Sequence, residues 1–177
     1  MLEIHLGGAF SEISVASYLE KDKPKKEGIL QKQFFPKGSF LPGNLTKAYE
    51  LVSDPEFSSS YIVMTNGNPL FLLEIHTMVI TDVSLYYDAL RGDHCLIIFI
   101  AGSAKDDREL LLSALLACKE AIFTHPEVKR LIVPAFVTNS PELMGPLLSS
   151  AGFSFLGPKK EVNHPDLFIC SRSTYSS

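Results

Sequence analysis

The sequence predicts an α/β chain, of the α+β kind, built on one mixed β-sheet flanked by helices. Three observations carry this reading. Leu96 to Ala101 reads LIIFIA and Arg130 to Phe136 reads RLIVPAF, two apolar runs of the kind shown by strands covered on both faces. Between them, Leu110, Leu111, Ala114, Leu115, Cys118, Ala121 and Ile122 recur at helical spacing. Upstream, Asn66-Gly67 separates the apolar runs Tyr61–Met64 and Leu70–His76, a tight-turn signal for an antiparallel hairpin.

In chain order, Leu2 to Leu6 and Glu12 to Leu19 have the mixed character of short strands separated by Gly7-Gly8. Lys21 to Glu27, KDKPKKE, is a solvated loop whose basic residues are interrupted by acids and a proline. Ile29 to Phe35 reads as another strand, Pro36 to Gly43 as a loop, and Asn44 as the cap of a short helix through Val52. Val79 to Ala89 is ambiguous, with Tyr86 and Tyr87 placed either to line a cleft or to cover the sheet. After LIIFIA, Asp106 is the candidate N-cap of the long helix, with Glu109 three residues on. That helix ends near Thr124, because the residue before Pro126 is pushed out of the helical region. Pro134 has no amide to donate, so it belongs at a bulge or an unpaired position. Ser140-Pro141 opens a second helix that Ala151-Gly152 closes, with a kink expected at Pro146. Phe153–Leu156 and Leu167–Cys170 read as closing strands. Two strands joined by one crossover helix are expected to be parallel, with a right-handed connection. Function then belongs at their carboxyl ends, Gly102–Asp107 and Val137–Ser140.

With 177 residues and 46% hydrophobic content, residues 1–177 are most simply one domain around one core. A net charge of -4 argues against nucleic acid as a partner, since phosphate binding needs a concentrated positive face. The apolar runs fall short of the roughly 20 residues that span a bilayer, and MLEIHLGGAF lacks the features of a secretion signal. Cys95, Cys118 and Cys170 are odd in number and set in apolar segments, as buried reduced thiols of a cytoplasmic protein would be. The histidines His5, His76, His94, His125 and His164 have no short paired spacing and the cysteines no CxxC, so no metal is expected.

Two histidines are catalytic candidates. His76 lies two residues from Glu74, and strand alternation places both on one sheet face, where His76 would act as a base. The plainer alternative is a strand-end histidine satisfied by a neighbour or water. His94 beside Asp93 has the composition of a pair tuned for proton transfer, though at the amino end of its strand. Cys95 has no evident oxyanion loop or third partner and reads as a buried thiol.

The order of these elements, with Asn139 before the second helix and Ala-Gly-Phe opening the next strand, resembles the second half of the GNAT acetyltransferase fold. NGNPLFLLEIH (Asn66–His76), GDHCLIIFIAG (Gly92–Gly102), FTHPEVKRLIVPAFVTN (Phe123–Asn139) and AGFSFLG (Ala151–Gly157) resemble, more narrowly, its siderophore-biosynthesis branch. The resemblance covers about the last two thirds of the chain. It implies a GNAT-like mixed sheet, acetyl-CoA or another acyl-CoA as substrate, and a small-molecule amine or hydroxylamine acceptor. Carried onto this chain, strand amides near Phe99, Ile100 and Ala101 align the thioester, Lys105 and Arg108 meet phosphates, and Asn139 holds the pantetheine arm. Asn139 is equally suited to a turn or cap before Ser140-Pro141.

The chain departs from that pattern. The loop Ser103–Arg108 has no glycine and carries two adjacent carboxylates where an anion would sit on helix amides. The branch's strand histidine falls at Ile97, its aspartate at or near Ala135 and Phe136, and no tyrosine follows in the second helix. Ser149 and Ser150 are weak substitutes for that phenol. Two readings stand: an acyl-CoA-dependent N-acyltransferase, or a catalytically degenerate GNAT-fold binding or interaction module. An unrelated mixed α/β domain is the third, and the oligomeric state is open.

Overall fold

A computed structural model describes residues 13–17, 58–77, 87–135, 137–156 and 166–172. The expected strands at Leu2–Leu6 and Ile29–Phe35, the helix begun by Asn44, and Tyr86 lie outside the described residues. The described elements are β1 (Ile13–Ser17), β2 (Ser58–Thr65), β3 (Asn68–Thr77), β4 (Asp93–Ile100), α1 (Arg108–Phe123), β5 (Arg130–Pro134), α2 (Pro141–Ser150), β6 (Ser154–Leu156) and β7 (Leu167–Ser171). The strands form one sheet in the order β1-β2-β3-β4-β5-β7-β6. Among the described strands only β4 and β5 pair in parallel; every other neighbouring pair is antiparallel.

Asn66 and Gly67 turn β2 into β3 with φ of 48 and 75, the left-handed pair that a two-residue hairpin loop requires. β4 is buried along almost its whole length, as its unbroken apolar run predicts, and its large side chains Leu96, Ile98, Phe99 and Ile100 lie at the centre of the core. The helix α1 buries the expected stripe of Leu111, Ala114, Leu115, Cys118 and Ile122. Its cap is Asp107, not Asp106: a single 3₁₀ turn at Gly102–Ala104 carries the chain one residue further before the helix starts. The Asp107 carboxylate accepts the Leu110 amide at 3.1 Å.

Both described α-helices are tied down at their carboxyl ends by cations from elsewhere in the chain. Arg172, just past β7, donates to the carbonyls of Phe123, His125 and Val128 at the end of α1. Lys119, buried in α1, donates to the Ala151 carbonyl that ends α2 and lies 5.8 Å from the centre of the Phe153 ring. Each positive charge meets the negative end of a helix dipole. α2 runs unbroken from Pro141 to Ser150 through Pro146, whose ring faces solvent.

Candidate active site: a slot between two parallel strands

The parallel ladder between β4 and β5 is short. Its rungs are Asp93 with Arg130, His94 with Leu131 and Cys95 with Ile132, after which β4 runs on to Ile100 with no further β5 rung on that side. Pro134 explains where the ladder stops. The Ala135 amide donates to Asp166 across the β5–β7 pair, so alternation turns Arg130, Ile132 and Pro134 towards β4. The Arg130 amide meets the Gly92 carbonyl, and stepping four residues along each strand would bring the amide of residue 134 to the Leu96 carbonyl. Proline has no such amide, and the strands part there.

The same alternation decides which groups of β4 face the opening. The Ala101 amide donates to Leu70 on the β3 side at 2.9 Å, so Ala101 and Phe99 direct their backbones to β3. Ile98 and Ile100 direct theirs to the slot. The far end of the slot is bridged by Asn139, whose side-chain amide accepts from the Ile100 N–H at 2.9 Å and donates to the Ile100 carbonyl at 2.8 Å. Asn139 thus stands where a neighbouring strand would pair. Between this bridge and the last rung, the Leu96 carbonyl and both backbone groups of Ile98 face the gap with no β5 rung opposite.

The closed end is pinned by charge. Arg130 grips Asp93 with two bonds, Nε to Oδ1 at 2.6 Å and Nη2 to Oδ2 at 2.5 Å, while Leu90 N–H and Tyr87 O–H also donate to Oδ2. Burial alone would raise the Asp93 carboxyl, but the Arg130 guanidinium, the Leu90 amide and the Tyr87 hydroxyl outweigh it and hold the group below the usual carboxylate range. Burial, and then the Asp93 charge, push the Tyr87 phenol well above its ordinary value. Gly92, with φ 94, starts the rung; a Cβ there would lie 2.8 Å from the Glu127 carbonyl oxygen and 2.6 Å from Lys129 Cγ.

The sequence candidates fall in three places. Lys105 and Arg108 flank the turn into α1 beside the open end of β4, Lys105 half-buried and Arg108 exposed, together with the exposed Asp106 and Asp107. His94 lies at the closed end, its Nδ1 3.3 Å from the Gly92 carbonyl, on the rung with Leu131. His76 and Glu74 project from β3 on one face, His76 Nε2 lying 3.4 Å from Glu74 Oε2. Both are buried, and His76 Nε2 has no hydrogen-bond partner. The register sets Glu74 directly across from Ile97 and His76 across from Cys95. The Cys95 thiol is pushed up to about 12 by burial and then by the Glu74 charge, and Cys118 to about 12 by burial; neither is a nucleophile at neutral pH.

Sequence reasoning missed Ile98 as the slot-facing residue and the reach of Asn139 back to Ile100. The parity of a strand is invisible until its pairing is known. No three His, Cys, Asp or Glu residues cluster as a metal site among the described residues, and no described helix is long and apolar enough to cross a membrane.

Residues 34–159 match the family described as acetyltransferase (GNAT) domain. The aminoglycoside acetyltransferase AAC(6')-Ib in complex with coenzyme A is similar in structure at 16% identity and a TM-score of 0.63, over 93% of this chain and 97% of that one. An uncharacterised protein from Bacillus halodurans is similar at 14% identity and a TM-score of 0.67, over 91% and 84%. RimL, a ribosomal L7/L12 alpha-N-protein acetyltransferase in complex with coenzyme A, is similar at 8% identity and a TM-score of 0.55, over 90% and 93%. A search by sequence among curated proteins finds no match.

Proposed function

The chain belongs to the GNAT acetyltransferase domain family and has its fold, a mixed sheet flanked by helices, and from that premise we propose that it is an acyl-CoA-dependent N-acyltransferase. The observation that carries this is the slot: two parallel strands that part after three rungs and leave strand backbone free to pair with a slender amide-bearing chain. The pantetheine arm of an acyl-CoA has that chemistry. In this reading the Ile98 N–H polarises the thioester carbonyl, a fixed donor aimed at developing negative charge. Phe99 and Ala101 hold β4 in register against β3, and Asn139 fixes the slot's width at Ile100. Lys105 and Arg108 meet the phosphates outside the mouth. Of the two histidines, His76 stands on the face shared with Ile97, the place of the strand histidine in the siderophore-biosynthesis branch, and beside Glu74 it belongs to the pair this reading sets at proton transfer; His94 is a closed-end residue.

The acceptor in this reading is a small amine or hydroxylamine, as the likeness to the siderophore branch implies. Neighbours that acetylate aminoglycosides and a protein α-nitrogen share the fold and support a nitrogen acceptor. A second reading, a GNAT-fold binding or interaction module, draws on Asp107: its carboxylate already occupies an α1 amide at the helix end where a diphosphate would compete.

Thermal unfolding with acetyl-CoA separates the two. A ligand bound only to the folded chain at a hundredfold excess over Kd adds about 2.7 kcal/mol, which moves Tm up by roughly 5–10 °C for a chain of this size. The double variant Lys105→Ala, Arg108→Ala should lose most of the shift given by acetyl-CoA and keep that given by acetyl-pantetheine. No shift with either thioester at about 1 mM overturns the transferase reading.

A further inference from the structure

Resting on the transferase reading, we propose that Glu74 is the general base that deprotonates the acceptor nitrogen, and that His76 is a positioning residue behind it. The register carries the order of the two groups. Glu74 pairs with Ile97, next to the slot-facing Ile98, whereas His76 pairs with Cys95, on the last closed rung. Adjacent antiparallel residues have Cβ atoms about 5 Å apart, so the carboxylate stands one strand from the place where the thioester is held, between His76 and the open end of β4. A buried carboxylate without a counter-charge is costly, and His76 is the ionisable partner that the described residues supply. The orphaned His76 Nε2 lies 3.4 Å from Glu74 Oε2, short of a formed bond, and catalytic hydrogen bonds often stand long until substrate binds. Cys95, the other titratable neighbour on that face, stays a neutral thiol. Beyond it along the face lie Asp93, Arg130 and Tyr87, already bonded to one another.

The acceptor ammonium gives one proton to Glu74, the freed nitrogen pair forms the C–N bond to the thioester carbon, and the C–S bond breaks. The second nitrogen proton leaves with the thiolate, so the products are an amide, a free thiol, and a proton that passes from Glu74 to solvent.

The test compares two acceptors with acetyl-CoA as donor, reading thiol release. An alkyl ammonium such as cadaverine needs deprotonation before attack; hydroxylamine is already neutral at pH 7. Glu74→Gln should lower kcat for cadaverine by about 100-fold or more and for hydroxylamine far less, with the KM for acetyl-CoA and its Tm shift unchanged. His76→Gln should lower cadaverine turnover by about tenfold with the same tilt between acceptors. Equal losses for both acceptors, or full activity in Glu74→Gln, overturn the assignment and leave the transferase reading standing. Wild-type protein that turns over neither acceptor and shows no Tm shift with acetyl-CoA sinks both.

Discussion

Replacing Asn139 by alanine tests the geometry on which the slot depends. The substitution removes an acceptor at 2.9 Å from the Ile100 N–H and a donor at 2.8 Å from the Ile100 carbonyl, and Ile100 is 0% exposed. Each buried backbone group left without a partner costs about 1–3 kcal/mol. The vacated space adjoins the slot, so water can recover part of that loss, and the net destabilisation is about 2–4 kcal/mol. For a domain of this length that lowers Tm by roughly 5–15 °C. Calorimetry on Asn139→Ala and Asn139→Asp reads it. The aspartate keeps an acceptor for the Ile100 N–H but sets an oxygen against the Ile100 carbonyl, so it should be no more stable than the alanine variant. A Tm for Asn139→Ala within about 1 °C of wild type refutes the bridge, and with it the idea that the slot has a fixed width.

The closed end gives a pH-dependent result. Asp93 is held below its ordinary value of 3.8, so its contribution to stability is fully present above about pH 4 and is lost as the pH falls through its folded-state value. Asp93→Asn, which leaves Arg130 without its counter-charge, should cost about 2–4 kcal/mol at pH 7 in urea titrations and much less at pH 2.5; an equal cost at both would count against the pair. Pro134→Ala restores an amide opposite the Leu96 carbonyl and should close one more rung, adding about 1 kcal/mol while weakening the Tm shift given by acetyl-CoA. Unchanged acetyl-CoA binding in that variant would show that the proline does not hold the strands apart.

What was legible in the sequence was what local chemistry decides. Asn66-Gly67 announced its hairpin because two left-handed residues in a row admit few side chains. The ends of α1 followed from Thr124 before His125-Pro126 and from an acidic cap, although two adjacent aspartates gave equal local signals and only the 3₁₀ turn chose Asp107. Pro134 was readable as a residue that breaks a ladder, but not which ladder, since that depends on pairing with β7 some 33 residues later. The partners of Asn139, Arg130 and Lys119 were hidden for the same reason: they lie 39, 37 and 32 residues away in the chain. Alternation correctly set Glu74 and His76 on one face; that both would be sealed from water needed the fold.

The order β5-β7-β6 has a consequence for biogenesis. Of the described strands β7 is made last, yet it docks between two strands made before it, pairing with β5 on one side and β6 on the other. Until it arrives, no other described strand covers the outer edge of β5 or pairs with β6, so a nascent chain halted before residue 167 should expose a sticky strand edge to chaperones. Arg172 arrives with it and bonds the trailing carbonyls of α1, so the long helix gains this anchor only once β7 has been made.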